Sequence, residues 1–341
     1  MAQRGRVVDG ESPVTPVGDP AARGGRVGAH RSRTLQAVTS AVDSAPRRPG
    51  QAQPARAPAK DSSLTVIRPR TLADALAARA AHRDATVVAG GTGVLVELNR
   101  GALRPDTLID LSACAELRGA RPEGDTVVLG ALSTYTDVLE RHGATLPGLA
   151  QAARTVASRQ IRNRATLVGA LVLGDPSGDA LAALGAAGAT VQVARAGEPV
   201  RSVDAHAFVT APGACALGPG ELVVSITVPV ADGPVAYAKA GARNAMARAV
   251  AGVMVALHPA ARGGSACAVG VAPTAIRPER AEAFLADEWD RLADPDAARR
   301  FGALVAGATD PSPDARGSRA YRLHVSSVLA RRALTRAVAA L

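Results

Sequence analysis

From Pro234 onward the chain sorts its elements by type. Apolar runs at residues 236–239, 250–257 and 265–271 come first, and amphipathic stretches at 279–285, 296–306 and 320–340 follow. Strands followed by helices predict an α+β unit, a three-stranded sheet with its helices on one face. Upstream, between residues 63 and 232, short elements alternate instead. Apolar runs at 64–67, 86–89, 107–110, 126–129, 190–194 and 221–228 predict strands, the last stopped by Pro229. A helix is expected after Thr71, its N-cap, with Leu72, Ala75 and Leu76 on one side, and further helices at 94–100, 134–140, 149–157 and 180–187. Residues 158–179 are polar, arginine-rich and punctuated by glycine, which predicts a loop.

Residues 1–62 have a different texture. They carry Pro, Gly, Arg, Gln and Ser without a sustained apolar period, as in Ala45-Pro46-Arg47-Arg48-Pro49-Gly50. Such a segment cannot bury enough surface to offset its ordering entropy, and a disordered basic extension is expected. The 341 residues therefore divide into an extension at 1–62, a first domain at 63–232 and a smaller second domain at 233–341.

The net charge of +10 is concentrated in that extension, where residues 1–60 hold ten basic against four acidic side chains. Nearly all the cations are arginine, Lys60 and Lys239 being the two lysines. Aromatic residues make up 2% of the chain, so the basic stripe with interleaved aromatics that marks a nucleic-acid platform is missing. Cys114, Cys215 and Cys267 lie far apart, without the spacing or the number of soft ligands that a zinc cage or iron–sulfur cluster needs. The six histidines are equally scattered, so no metal site is expected. No run approaches the roughly 18 apolar residues of a bilayer span, and no signal-peptide pattern opens the chain. A cytoplasmic protein without a membrane span is expected.

The common nucleotide fingerprints are missing: there is no G-x-G-x-x-G, no P-loop and no nucleophile elbow. Two other loops carry the chemical interest. Ala89-Gly90-Gly91-Thr92-Gly93 follows an apolar strand, and consecutive glycines let main-chain N–H groups converge into a nest for a pyrophosphate. Thr92 adds a hydroxyl donor. The second loop runs from Arg159 through Gln160, Ile161, Arg162, Asn163, Arg164, Ala165, Thr166, Leu167, Val168 and Gly169 to Ala170, then on to Asp175-Pro176-Ser177-Gly178-Asp179. Its chemistry allows two readings, a functional loop or a solvated one whose arginines pair with Asp175 and Asp179.

The order of these motifs resembles the FAD-binding medium subunit of the xanthine dehydrogenase and carbon monoxide dehydrogenase family of molybdenum hydroxylases. The family's A-G-G-T loop is matched at Ala89–Thr92, its Q-I-R-N-x-A-T-L-G-G-N loop at 160–170, and its P-x-x-D at Pro176 and Asp179. The family strand L-x-x-G-E-L-I-x-x-I-x-I-P is similar to Leu217, Gly220, Glu221, Leu222, Ile226 and Pro229. Tyr237, Lys239 and Arg243 match Y-x-K-x-x-x-R, and Asp314, Arg316, Gly317, Ser318, Tyr321 and Arg322 match D-x-R-G-S-x-x-Y-R. The resemblance covers about residues 64–334.

It implies a two-subdomain FAD-binding domain of the vanillyl-alcohol-oxidase (PCMH) type, followed by the smaller α+β domain. It implies FAD, held non-covalently by Ala89, Gly90, Gly91, Thr92, Gly93, Thr166, Leu167, Val168, Gly169 and Ala170. Asp179 would meet the ribityl chain, Val223 would touch the cofactor, and Lys239 would lie near the pyrimidine edge. No catalytic acid or base is implied. Iron–sulfur clusters and a molybdenum cofactor would sit on a small and a large partner subunit, and electrons would leave to NAD or a quinone. The chain departs from the family at Gly93, where Asp, Ser or Asn is usual, and at Val168 and Ala170, where the family has Gly and Asn or Asp. Those departures support an alternative, a non-redox scaffold of the same fold that has lost FAD. A stand-alone flavin oxidoreductase is a further alternative, and would need a substrate-side base.

Overall fold

The computed structural model describes residues 64–341; the extension expected at 1–62 lies outside the described residues. The chain opens with strand β1 (Thr65–Ile67), helix α1 (Leu72–Ala81), β2 (Thr86–Val88), α2 (Val94–Asn99) and β3 (Thr107–Asp110). The three strands form a parallel sheet in the order β1-β3-β2. Parallel neighbours need a crossover between them, and the two helices supply it. Thr71 caps α1 by accepting the Asp74 amide at 3.1 Å, and fully buried Ala75 lets the helix lie close on the sheet.

A five-stranded antiparallel sheet follows, built from β4 (Ala120–Glu123), β5 (Thr126–Gly130), β6 (Thr190–Ala194), β7 (Arg201–Asp204) and β10 (Leu222–Pro229) in the order β4-β5-β10-β6-β7. Central β10 sets Ile226 against Leu129 on one side and Val191 on the other. Helices α3 (Tyr135–Arg141), α4 (Pro147–Arg154), α5 (Arg159–Arg162), α6 (Leu167–Val172) and α7 (Asp179–Ala186) lie between β5 and β6 in sequence. A short helix α8 (Ala205–Phe208) and the ribbon of β8 (Val209–Ala211) and β9 (Ala214–Cys215) lead into β10.

Residues 158–179 are not the plain loop their polarity predicts, because α5 and α6 wind there. Each is started by a hydroxyl. Ser158 accepts the Ile161 amide at 3.4 Å and Thr166 accepts the Gly169 amide at 3.0 Å, satisfying donors that a helix start leaves free. Edge strands β4 and β7 escaped the sequence reading for a related reason. Ala-Arg-Pro-Glu and Arg-Ser-Val-Asp lie mostly exposed and carry no apolar period.

The C-terminal meander is β11 (Val235–Gly241), β12 (Ala249–His258) and β13 (Gly263–Val269), antiparallel in that order. Helices α9 (Glu279–Asp287), α10 (Pro295–Gly307) and α11 (Arg319–Val338) follow. Alternation along the strands sorts side chains between two cores. Ala251, Val253, Val255 and Leu257 pack with Phe301, Leu329 and Leu334 of the helices. Met254, Cys267, Val269 and Tyr237 point the other way, into the core shared with Leu149, Leu181 and Ile226. Strand β12 is thus buried on both faces, and it reads as an unbroken apolar run.

Candidate functional site

The first glycine loop leaves β2 and turns at Gly91, whose φ of 78° is a left-handed conformation that glycine adopts without strain. Gly90 touches the second loop directly. A Cβ built there would overlap the main-chain oxygen of Arg164, so the missing side chain is what lets the two loops close on each other. Among the described residues the amides of Gly91, Thr92 and Gly93 donate to no main-chain carbonyl. Gly93 packs against the Leu173 side chain, which a Cβ would crowd at 2.7 Å.

Across the seam, Thr166 is buried and caps α6, while Leu167 donates its amide to the Ser133 oxygen at 3.1 Å. Gly169 approaches the Thr166 hydroxyl so closely that a Cβ would stand 2.8 Å from it. Leu167 and Val168 face the apolar core, and Ala170 packs half-buried against it. Val168 has helical rather than left-handed backbone, so the position makes no demand for glycine's φ freedom. Its β-branched side chain turns into the core.

A buried polar cluster lies at the start of α7. Asp179 accepts from the Tyr237 hydroxyl at 2.6 Å through one oxygen and from the Lys239 ammonium at 2.8 Å through the other. Lys239 also donates to the Thr155 carbonyl at 3.3 Å. Burial, and then the Asp179 charge, raise the Tyr237 phenol well above its ordinary pKa, so it stays a neutral donor. The pairing follows from strand period: Tyr237 and Lys239 are two apart on β11 and share the face that looks onto α7. Gln151 fastens α4 to β11 beside them, accepting the Tyr237 amide at 2.8 Å and donating to the Val235 oxygen at 2.9 Å.

The arginines of the second loop do not pair with Asp175 or Asp179. Arg162 donates to the Val156 and Ala157 carbonyls at 2.6 and 2.8 Å, pinning a turn in which Ala157 has φ 39°. Arg159 lies 3.8 Å from Glu140, and Asp175 has Arg248 at 3.5 Å.

The sequence-derived residues thus fall into three places. Ala89, Gly90, Gly91, Thr92 and Gly93 meet the loop that leads into Thr166, Leu167, Val168, Gly169 and Ala170. Asp179 and Lys239 form a separate ion pair, 9% and 11% exposed at their side chains. Val223 is buried within β10 beside a bulge and presents no polar group. Tyr237 is the addition: the family motif contained it, and its i, i+2 relation to Lys239 was the signal for placing it in the site.

A glycine loop whose Gly91, Thr92 and Gly93 amides donate to no main-chain carbonyl, closed against a second glycine-containing surface, suits the diphosphate of a dinucleotide cofactor, and a buried acid–lysine pair suits its polar chain. The residues present therefore fit FAD. Comparison with known proteins agrees. Residues 61–231 match the family described as FAD binding domain in molybdopterin dehydrogenase. Residues 236–337 match the CO dehydrogenase flavoprotein C-terminal domain. The chain is 30% identical over 286 residues to the carbon monoxide dehydrogenase medium chain of Afipia carboxidovorans, covering 81% of this chain and 97% of that one. It is 29% identical over 274 residues to the glyceraldehyde dehydrogenase medium chain of Sulfolobus acidocaldarius, covering 79% and 96%. Its fold superposes on a chain of reconstituted CO dehydrogenase from Oligotropha carboxidovorans with a TM-score of 0.76 at 30% identity, over 82% of this chain and 99% of the other.

Proposed function

The chain belongs to the family of FAD-binding medium subunits of molybdenum hydroxylases, and from that premise we propose that it passes electrons between a partner iron–sulfur subunit and an acceptor such as NAD or a quinone. A large subunit carrying the molybdenum cofactor would complete the assembly and oxidise the substrate. Bound FAD supplies the chemistry of accepting electrons singly and giving them up in pairs. What this chain does is bind, orient and tune.

In this reading Ala89–Gly93 hold the diphosphate on the amides of Gly91, Thr92 and Gly93, and Thr166–Ala170 line its other side in a shape fixed by the Thr166 cap. Asp179 offers its carboxylate to the ribityl chain, held in one orientation by Tyr237 and Lys239. Lys239 places a cation where negative charge on the reduced cofactor needs compensation, and Val223 gives an apolar contact. The fit at Gly90, where two loops touch main chain to main chain, carries the proposal. Val168, facing the core, supports this reading over a flavin-free scaffold, which rested on Val168 and Ala170.

The test is the visible spectrum of the full chain made with ample riboflavin, with an FAD titration of the same protein. A yellow protein that retains one flavin per chain is expected. Asp179→Ala should fall in flavin content while keeping the wild-type far-UV circular dichroism. Unchanged occupancy in that variant, or a colourless wild type that refuses added FAD, would defeat the assignment.

A further inference from the structure

Arginine side chains gather beside Lys239. Two adjoining clefts, of about 400 and 440 Å³, share Arg332 and Arg336 as a common wall. The first runs from Arg154 to Lys239, and the second continues past Arg331 to Arg299. Among the described residues Arg154, Arg331 and Arg332 make no ion pair or side-chain hydrogen bond. Arg336 makes one bond, to the Tyr237 carbonyl at 3.4 Å. The acids within reach are already engaged, Asp179 by Lys239 and Asp296 by Arg299.

Arg154 and Arg336 stand in the last turns of α4 and α11, where a cation is favoured by the helix dipole. That explanation does not reach Arg331 and Arg332. Arg332 and Arg336 are four apart on one helix face, a like-charge spacing that repels unless an anion lies between them. Guanidinium forks match phosphate oxygens two at a time. Clefts of a few hundred Å³ are of small-ligand size rather than of the breadth of a protein interface.

We infer that this arginine trough binds the diphosphate of a pyridine dinucleotide. The inference rests on the proposed function, in which Lys239 borders the cofactor, and it selects a dinucleotide over a quinone as the acceptor class.

The experiment titrates the full, FAD-loaded chain with ADP-ribose, which keeps the diphosphate of such a dinucleotide and lacks only its nicotinamide, and reads flavin absorbance separately. Saturable binding is expected, weakening as KCl rises and at least tenfold weaker in Arg332→Ala and in Arg154→Ala, with flavin content unchanged. A yellow protein that ignores ADP-ribose, or whose binding is the same in both variants, overturns the inference and leaves the flavin assignment standing. Loss of flavin in Arg332→Ala overturns it too, by making the trough part of the flavin site. So does ADP-ribose refused by wild type while the variants lose partner subunits on size exclusion, since the trough is then an acidic protein's docking face. A colourless chain that still binds ADP-ribose through Arg332 sinks the flavin reading alone.

Discussion

Asp179 shows how much one buried carboxylate depends on its donors. It is 8% exposed and receives a neutral hydroxyl and an ammonium from the same strand face. Tyr237→Phe keeps the volume and deletes one bond to a charged group, a loss of about 2 kcal/mol. Urea unfolding should show that fall with the m-value unchanged; a midpoint equal to wild type would mean the hydroxyl contributes nothing. Glu221 offers a pH test. Arg201 bonds it through two nitrogens at 2.7 and 2.6 Å. Those bonds first, with the Gly218 amide and against the cost of burial, lower its pKa to about 2. A depressed carboxylate pKa contributes stability that is present above the unfolded value of about 4.3 and lost as pH falls through the folded one. Stability should therefore drop between about pH 4.5 and 2, by about 1–2 kcal/mol given that Arg201 is 42% exposed. Arg201→Ala should flatten that part of the pH profile, and a profile unchanged in the variant would remove Glu221 from the account.

Among the elements, β12 carries a constraint that its apolar run hides. Gly252 pairs with Lys239 across the ladder. A Cβ at Gly252 would stand 2.5 Å from the Tyr237 hydroxyl and 3.0 Å from a Val269 methyl. The glycine makes room for the phenol that orients Asp179. Gly252→Ala should cost about 1–3 kcal/mol by overpacking and should cost less in a Tyr237→Phe background, because the crowded oxygen is gone. Chemical denaturation of the four proteins of that cycle measures the coupling; strict additivity would show that the contact carries no energy. Of these elements, most strands and the long helices were legible from apolar period alone. The helices α5 and α6 were not, since a serine and a threonine cap, rather than an apolar stripe, let polar residues wind. Strands β4 and β7 were invisible because an exposed edge imposes no pattern on its side chains.

Over the whole molecule, the two family-matched segments share one apolar core, to which Met254, Cys267 and Val269 contribute from the meander and Leu149, Leu181 and Ile226 from the segment before it. The terminal helix α11 ties that meander down through Arg322, 3% exposed, which donates to the Val250 carbonyl at 2.7 Å, to the Gly270 carbonyl, and to Asp314 at 2.6 Å. Burial works against the Asp314 charge, but bonds from the Arg316 amide and from the Arg322 and Arg316 guanidinium groups outweigh it and hold the carboxyl below its usual range. Arg322→Ala leaves the buried Val250 and Gly270 carbonyls without their charged donor and should cost about 2–3 kcal/mol in global stability. Arg322→Lys should restore little of it, because an ammonium cannot span the fork. A lysine variant as stable as wild type in thermal unfolding would refute the role given to that geometry.

The linear chain determined the fold class, the order of most elements and the two glycine loops, because strand period, capping residues and glycine turns act over a few neighbours. The i, i+2 spacing of Tyr237 and Lys239 on a strand also implies a shared face. Only the tertiary structure decided that Gly90 would meet Arg164, that Val168 would turn inward, and that Asp179 would receive both side chains from β11. It also gathered Arg154 with Arg332 and Arg336. Those contacts join residues tens to hundreds of positions apart, and no local pattern records which distant surface a side chain will meet.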